Sequence, residues 1–272
     1  MAGNTTGPAL IPYRGGACAR RMAAHSIEVQ IARCASWPER FEPQEWSLYK
    51  SVMQEARRRG VPFAVGGGLA AMTYAGQWRN TKDLDLYICE RDRDGAIRIL
   101  IDQGLNDYYE KQPYDRKWIY RGYKGDTIID LIWAMANQRA RVDPSWLEGP
   151  EVEAGGERFH LLRPEEALWS KLYVQQRDRS DWPDALNLLY GVGPDMDFHR
   201  LLQNLGADVL LLTGLLTVFA WLCPDRARQL PEWLWSELRL ERPSANGNPE
   251  QVRARARLLD SRPWFTPALE EN

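Results

Sequence analysis

The chain has 272 residues, of which 44% are hydrophobic and 26% charged, and its formal net charge is −2. This composition is ordinary for a globular protein, and the length allows one large domain or two small ones. The near-neutral charge excludes a globally basic nucleic-acid-binding protein, so contact with nucleic acid would need a local basic patch.

The first part of the chain predicts a leader and then a compact α/β pattern. Residues 1–40 are rich in Gly, Ala, Arg and Pro and show little periodicity, so we predict a poorly ordered leader. The stretch 43–60 has an apolar stripe at helical spacing and three arginines that suit the C-terminal end of a helix. A short buried strand over 61–65, the glycines 66–68 and a short helix over 69–76 follow.

The middle of the chain predicts a strand, a helix and two hairpins, at 81–88, 94–104, 116–134 and 150–162. The first hairpin is predicted to turn near Gly122–Gly125. Helices alone follow, at 163–176, 181–191, 196–206, 209–223 and 231–238. The change of pattern predicts an α+β chain with a mixed α/β domain at 41–162 and an all-helical domain at 163–272 that closes a cleft.

Two carboxylates lie on one face of the strand "TKDLDLYI". Successive side chains of a strand alternate between its faces, so Asp83 and Asp85 point one way and the intervening Leu84 points the other. Two adjacent carboxylates repel, and their burial is costly unless a positive group meets them. The pair is either the solvated face of an exposed edge strand or a ligand pair for a hard divalent cation.

Two further features favour the cation site. The glycines 66–68 lie between a strand and a helix, where backbone amides and the helix dipole suit phosphate. Asp130 interrupts the apolar face that Ile128 and Ile132 share in a predicted central strand. One or two divalent ions bound by Asp130 and the Asp83–Asp85 pair would account for all three carboxylates together.

The stretch "VGGGLAAMTYAGQWRNTKDLDLYI" resembles the signature of the nucleotidyltransferase superfamily that includes DNA polymerase beta. That signature is a hydrophobic strand, a Gly-Gly or Gly-Ser pair, a spacer, Asp-x-Asp, and a third Asp on a later strand. The form Arg-x-Thr-x-Asp-x-Asp from Arg79 to Asp85 is similar to a bacterial branch with AbiEii-type, lincosamide and minimal nucleotidyltransferases. "PEEALWSKLYVQQRDRSDWPDALNLL" is similar to the Lys helix and Asp segment of that branch, and the resemblance covers about residues 61–190.

The resemblance implies an enzyme that transfers an NMP from an NTP, such as ATP, to a hydroxyl acceptor and releases pyrophosphate. It implies a nucleotidyltransferase-like mixed sheet with helices and a cofactor of Mg²⁺, with two ions and with Mn²⁺ as an alternative. The implied metal ligands and catalytic residues are Asp83, Asp85 and Asp130, of which Asp130 is also a candidate general base.

The implied nucleotide-binding residues are Gly66, Gly67, Gly68, Arg79, Thr81, Lys171 and Asp184. The amides of Gly66 and Gly67 are expected to contact the β- and γ-phosphates. Arg79 and Lys171 are candidate phosphate contacts or ordinary partners of carboxylates. Asp184 either orients Lys171 or the acceptor, or only follows Pro183 in the first turn of its helix, where an acid is favoured.

Two hypotheses of function stay open. The first is a metal-dependent nucleotidyltransferase, whose acceptor is a small hydroxyl compound, an RNA or a protein. The second is a catalytically silent, antitoxin-like or regulatory module that binds nucleotide or protein. The three intact carboxylates favour the enzyme, because a module released from catalysis has no need to keep mutually repelling acids.

The cysteines and the apolar runs give predictions about the cellular compartment and about membrane contact. Cys18, Cys34, Cys89 and Cys223 form no C-x-x-C pair, which argues against a zinc site or a disulfide framework and favours a reducing compartment. We therefore predict a cytoplasmic protein. The most apolar run, 209–223, is shorter than the roughly 18 to 20 residues that a membrane span needs, so we predict a buried helix and no membrane partner.

Overall fold

The computed structural model describes residues 27, 30–32, 37–78, 81–244 and 248–259. Its seven strands are β1 Ala64–Val65, β2 Asp83–Tyr87, β3 Asn106–Asp107, β4 Ile119–Lys124, β5 Thr127–Ile132, β6 Glu151–Ala154 and β7 Glu157–Leu161. They form one mixed sheet in the order β3-β4-β5-β2-β1-β7-β6.

Ten α-helices lie within the described residues, three before or between the strands and seven after them. They are α1 Pro43–Arg58, α2 Gly67–Ala75, α3 Arg93–Asp102, α4 Pro164–Leu172, α5 Trp182–Val192, α6 Phe198–Leu205, α7 Val209–Leu222, α8 Pro224–Ala227, α9 Glu232–Glu237 and α10 Pro249–Leu259. The mixed sheet with helices and the helical C-terminal region confirm the predicted α+β fold.

The centre of the sheet places three strands side by side in a defined register. Strand β2 pairs with β5 in parallel, and Asp85 lies opposite Asp130. Strand β4 pairs with β5 in antiparallel, and Arg121 lies opposite Asp130. Residues directly opposite each other project from the same sheet face. The register therefore puts Asp85, Asp130 and Arg121 in one row across the sheet.

The loop of the β4–β5 hairpin differs from the prediction. The last pair of the ladder is Lys124 with Thr127, so the loop is Gly125–Asp126, and Gly122 lies inside the strand. Gly125 has a φ of 60°. A two-residue loop that starts with a left-handed Gly matches the twist of its strands, whereas a turn at Gly122 would break the ladder.

Strand β1 is also shorter than the predicted strand 61–65. The amide of Val61 donates to the carbonyl of Ala56, and this contact ends α1 rather than extending the sheet. Only Ala64–Val65 pair with neighbouring strands. The two short elements α8 and β3 were not predicted, because so few residues carry no periodic pattern.

One continuous hydrophobic core joins the sheet to the helices that follow it. Trp37 is 5% exposed within this core, so the packed chain begins before the predicted boundary at residue 40. The rest of the predicted leader lies largely outside the described residues. The sheet ends at Leu161 and α4 begins at Pro164, close to the predicted change at 162. Because the core is shared, the two halves pack as one body.

A helical stretch of the described chain, Phe198–Leu222, is long and apolar enough to cross a membrane by length and composition alone. It is longer than the apolar run in the sequence, because α6 continues through a short 3-10 turn into α7. Five residues of α7 are buried in the core, and the same description fits a core helix of a globular protein. The absence of a membrane partner stays a prediction.

Candidate active site

The three predicted carboxylates meet at the centre of the sheet. One carboxylate oxygen each from Asp83, Asp85 and Asp130 lie within 4.8 Å of one another. Asp83 and Asp85 are partly exposed, while Asp130 is 1% exposed. Leu84 and Leu86 face the opposite side and are buried, as the alternation of the strand predicts. The structure therefore brings together the whole predicted carboxylate set.

The glycine loop, residues 66–68, packs directly against β2, the strand that carries Asp83 and Asp85. Gly67 has a φ of 54°, a left-handed conformation that disfavours side chains. A Cβ at Gly67 would overlap the Asp85 carboxylate, and a Cβ at Gly66 would overlap the ring of Tyr87. The loop therefore needs glycine at both positions, because the side chains of β2 occupy the space beside the backbone.

The three glycines differ in what their amides can do. The Gly66 amide donates to the Asp85 carbonyl at 2.9 Å as part of the sheet. This geometry corrects the expectation that the Gly66 amide contacts a phosphate, because its hydrogen is already used. Gly67 and Gly68 lie in the first turn of α2, where amides have no intrahelical acceptor, and both line the cavity described next.

A cavity of about 980 Å³ opens over the carboxylates and is lined by both halves of the chain. The sheet half supplies the glycine loop, the three aspartates and the exposed parts of β4 and β5. The helical half supplies residues of α4, α5 and the segment between them. The volume lies at the upper end of the range typical of small-molecule sites, about 300 to 1,000 Å³.

Burial and neighbouring charges change the ionisation of Asp85 and Asp130. Burial, together with the charges of Asp83 and Asp130, raises the pKa of Asp85 to about 8. Burial also raises the pKa of Asp130, while the hydrogen-bonded Arg121 opposes that change. Burial of this kind disfavours the charged forms of Asp85 and Asp130 and makes a positive partner favourable. The site is therefore built to attract cations.

One cation inside the site belongs to the chain itself. Arg121 Nε donates to Asp130 Oδ1 at 2.8 Å and Nη2 donates to Asp130 Oδ2 at 2.5 Å. Nη2 also lies 3.5 Å from Asp83 Oδ2. Sequence reasoning missed Arg121, although a turn correctly placed at Gly125–Asp126 would have aligned it with Asp130.

Lys171 and Asp184, both predicted site residues, form an ion pair that lines the cavity. Lys171 Nζ donates to Asp184 Oδ2 at 2.8 Å and lies 3.6 Å from Asp181 Oδ2. The Lys171 side chain is 8% exposed. Asp184 thus contacts Lys171 directly, rather than only occupying the first turn of α5. A buried pair of this kind fixes the ammonium group at the wall of the cavity.

Thr81 and Arg79 are the remaining predicted site residues. Thr81 lines the cavity, and its hydroxyl is 3.3 Å from the Asp83 carboxylate. Arg79 lies outside the described residues. Arg179, which was not predicted as a site residue, lines the cavity and pairs with Asp181 through Nε at 3.0 Å. The exposed loop that carries Arg179 has no periodic pattern that could have identified it.

The donor set fits a hard divalent cation. Three carboxylates within reach of one point supply the oxygen ligands that Mg²⁺ and Mn²⁺ prefer. Two aspartates spaced by one residue on one strand, with a third directly across from the second, give a face of oxygen donors that opens into the cavity. These residues can therefore hold a divalent ion.

A family model described as "uncharacterised nucleotidyltransferase" matches residues 48–209 of the chain. The match covers more than half of the chain and includes the glycine loop, the three aspartates and Lys171. The chain belongs to this nucleotidyltransferase family. The resemblance predicted from the sequence is confirmed.

Solved structures similar to this nucleotidyltransferase include two of the antibiotic-resistance factor ANT(2'')-Ia and one of the lincosamide antibiotic adenylyltransferase LnuA. The solution structure of ANT(2'')-Ia is 18% identical, with a TM-score of 0.44, and the match covers 62% of this chain and 93% of that one. Its complex with adenylyl-2''-tobramycin is 19% identical, with a TM-score of 0.38 and coverages of 66% and 100%.

The lincomycin-bound structure of LnuA is 14% identical to this nucleotidyltransferase, with a TM-score of 0.39, and the match covers 52% of this chain and 94% of that one. No protein with a curated description matches the chain.

Proposed function

We propose that this nucleotidyltransferase transfers an NMP from an NTP to a hydroxyl acceptor, and that Asp83, Asp85 and Asp130 hold the Mg²⁺ or Mn²⁺ ions that the reaction needs. The observation that carries the proposal is the convergence of three carboxylates from two adjacent strands beside a glycine loop. Bound divalent ions would neutralise the triphosphate and lower the pKa of the acceptor hydroxyl.

The bonds that change define the reaction. The acceptor oxygen forms a bond to the α-phosphorus, and the bond from the α-phosphorus to the bridging oxygen breaks, so pyrophosphate leaves. We assign the hydroxyl proton to Asp130, because this carboxylate is on the strand farther from the glycine loop. The work of the chain is positioning and electrostatic stabilisation, as in other phosphoryl-group transfers.

The triphosphate belongs on the β1 side of the carboxylates. Gly67 and Gly68 line the cavity at the N-terminus of α2, where first-turn amides have no intrahelical acceptor and the helix dipole favours anions. Lys171 and Arg179 line the cavity, each already paired with Asp181 or its neighbour Asp184. We propose that these two cations contact phosphate oxygens, with the aspartates fixing their direction.

The acceptor belongs on the β4 side, beyond Asp130. The cavity wall there is formed largely by apolar and aromatic residues within or beside β4 and β5, namely Trp118, Ile119, Ile132 and Met135, and by Tyr173 at the end of α4. Apart from the three aspartates, this wall has no carboxylate among the described residues. Such a wall favours a small hydroxyl compound with an apolar face over a polycation.

The alternative, a catalytically silent module that binds nucleotide or protein, keeps the same fold. It requires no particular charge at the three aspartate positions, since nothing would be transferred. The presence of all three carboxyl groups, with one oxygen of each within 4.8 Å of the others, supports the enzyme instead.

Labelling with each of the four NTPs tests the proposal. The protein would be incubated with one α-labelled NTP, Mg²⁺ and a cell extract, and the extract would then be separated into small molecules, RNA and protein. We expect a labelled small molecule other than the NTP and its hydrolysis products with the wild type, and no such compound with the Asp83→Asn, Asp85→Asn double variant. Equal labelling by both proteins in every fraction would contradict the proposal.

A further inference from the structure

The guanidinium of Arg121 uses the same carboxylate that the metal needs. Both oxygens of Asp130 accept hydrogen bonds from Arg121, at 2.8 and 2.5 Å. Among the described residues, the structure gives the Asp130 side chain no other hydrogen-bond donor. A bidentate Arg–carboxylate pair is among the stronger polar contacts in proteins. A divalent cation that binds an oxygen of Asp130 must therefore displace an existing hydrogen bond from Arg121.

The strand register fixes the position of Arg121 beside Asp130, so the pair is not an incidental surface ion pair. Arg121 lies opposite Asp130 in the β4–β5 ladder, while Asp85 lies opposite Asp130 on the other side. The Asp130 side chain is 2% exposed, whereas the Arg121 side chain is 32% exposed. The buried partner is therefore fixed, and the partner that can move is the arginine.

An aromatic surface lies beside the guanidinium of Arg121. The Arg121 guanidinium carbon is 5.7 Å from the centre of the Tyr108 ring, and Tyr108 packs edge-on against Tyr123 at 5.7 Å. Aromatic faces attract guanidinium groups. The guanidinium therefore has an aromatic contact besides its contact with Asp130, on a surface that Lys111 Nζ also approaches at 5.8 Å from the centre of the Tyr108 ring.

We propose that Arg121 is a positioning residue that holds Asp130 in the metal-free protein and gives it up when a divalent ion binds. The proposal rests on the proposed function, since it takes the three carboxylates as the metal site. Without a positive partner, Asp130 would be a buried carboxylate facing two others, which is costly. Arg121 stabilises the metal-free site and, for the same reason, weakens its affinity for metal.

Binding of Mn²⁺ without nucleotide tests this competition through a readout that is not activity. The free Mn²⁺ signal in electron paramagnetic resonance would be titrated with wild type, Arg121→Met and Arg121→Lys. We expect Arg121→Met to bind Mn²⁺ at least about tenfold more tightly than the wild type, because a charge-assisted pair no longer has to be broken.

Two variants separate competition from a simple change in charge. Arg121→Lys keeps the positive charge but not the two-point contact, so it too is expected to bind Mn²⁺ more tightly than the wild type. Arg116→Met is the matched control, because Arg116 pairs with Asp107 at the neighbouring edge of the sheet and its loss changes the net charge equally. We expect Arg116→Met to bind Mn²⁺ as the wild type does.

Thermal unfolding of the same proteins gives an independent check. Metal-free Arg121→Met is expected to melt below the wild type, and saturating Mn²⁺ is expected to raise its melting temperature by more than it raises that of the wild type. If Arg121→Met does not fold, the comparison of Mn²⁺ affinity between Arg121→Lys and the wild type tests the proposal.

The outcomes distinguish this inference from the proposed function. Mn²⁺ binding by the wild type with an unchanged or weaker affinity in both Arg121 variants would overturn the competition alone. Tighter binding by Arg116→Met of the same size would reduce the effect to net charge and would also overturn it. No Mn²⁺ binding by any of the proteins would contradict the metal site itself, and the proposed function with it.

Discussion

A steric constraint links Gly67 to Asp85, two residues that belong to different elements. Gly67 adopts a left-handed φ of 54°, and the space beside its Cα is filled by the Asp85 carboxylate. The sequence predicts a glycine turn here, but it does not reveal which of three consecutive glycines is required. That requirement arises only when β2 lies against the glycine loop, and it makes the position of the Asp85 carboxylate depend on that loop.

Replacing Gly67 by Ala tests this link. We expect Gly67→Ala to lower the free energy of unfolding by at least about 1 to 3 kcal/mol, because a left-handed Ala is strained and its Cβ displaces Asp85. Gly68→Ala is the control, because Gly68 is helical without a positive φ and alanine favours a helix by about 1 kcal/mol. Urea unfolding of both variants makes the comparison, and equal stabilities would contradict the constraint.

Replacing Asp85 by Asn separates catalysis from stability. Asn keeps the size of the side chain but removes the charge of a proposed metal ligand. Loss of a residue that only supports a metal ligand costs about 10- to 100-fold in activity, so we expect turnover to fall by more than that. The stability of the metal-free protein is expected to hold or increase, because Asn removes a buried carboxyl group whose ionised form is disfavoured by burial and by Asp83 and Asp130.

Turnover and the urea midpoint of Asp85→Asn would be measured on the same samples, with the exposed-site variant Asp94→Asn as control. A destabilised Asp85→Asn with near-normal turnover per folded molecule would end the catalytic assignment of β2.

At the scale of elements, the register of the β4–β5 hairpin could have been predicted from the sequence, but it was not. The sequence predicts the hairpin and the third aspartate, but it offers Gly122 and Gly125 as equal candidates for the turn. The choice of Gly125–Asp126 moves every partner along β4 and brings Arg121 against Asp130. The register depends on which turn has a backbone twist that matches its two strands. A turn predicted at the wrong residue therefore gives the wrong cross-strand partner for a buried charge.

The start of α4 carries a second buried acid with a pH-dependent effect. Burial raises the pKa of Glu165 to about 7, although its Oε1 accepts a hydrogen bond from the Asp197 amide at 2.7 Å. The folded pKa lies above the unfolded value of about 4.3, so the unfolded state binds fewer protons between these values. Stability from this residue is therefore present at low pH and is lost as the pH rises through that window.

Replacing Glu165 by Gln checks that sign. Gln keeps the oxygen that accepts from Asp197 but does not titrate. We expect the wild type to lose stability relative to Glu165→Gln between pH 5 and 7, with a slope of up to about 1.4 kcal/mol per pH unit. Urea unfolding at a series of pH values gives the difference between the two proteins. A difference that is constant across this range, or that favours the wild type as the pH rises, would contradict the buried acid.

At the scale of the whole molecule, the active-site cavity exists only because the two halves of the chain pack on one core. The sheet half and the Lys helix were both predicted, and so was the change of pattern near residue 162. The contact of Lys171 with Asp184 was one of the predicted alternatives. The approach of Arg179 and the apolar wall beyond Asp130 were not predicted. These features depend on long-range packing of segments that lie far apart in the sequence, which no local pattern encodes.

A ligand that bridges both halves is expected to stabilise the whole molecule. Mg²⁺ with ATP should raise the melting temperature, and at a ligand concentration one hundred times above the dissociation constant the gain is about 2.7 kcal/mol. ATP with a chelator should do much less, because the carboxylates then repel the triphosphate. Equal stabilisation with and without metal would contradict a triphosphate bound through the three aspartates.

The position of the transferred label tests the proposed reaction most directly. Parallel reactions with the cell extract and Mg²⁺ would use NTP labelled at the α-phosphate or at the γ-phosphate, with the wild type and Asp85→Asn. We expect the α label to enter the acceptor with the wild type only, and the γ label to remain in pyrophosphate. Transfer of the γ label to the acceptor, or equal transfer of the α label by Asp85→Asn, would contradict nucleotidyl transfer at these carboxylates.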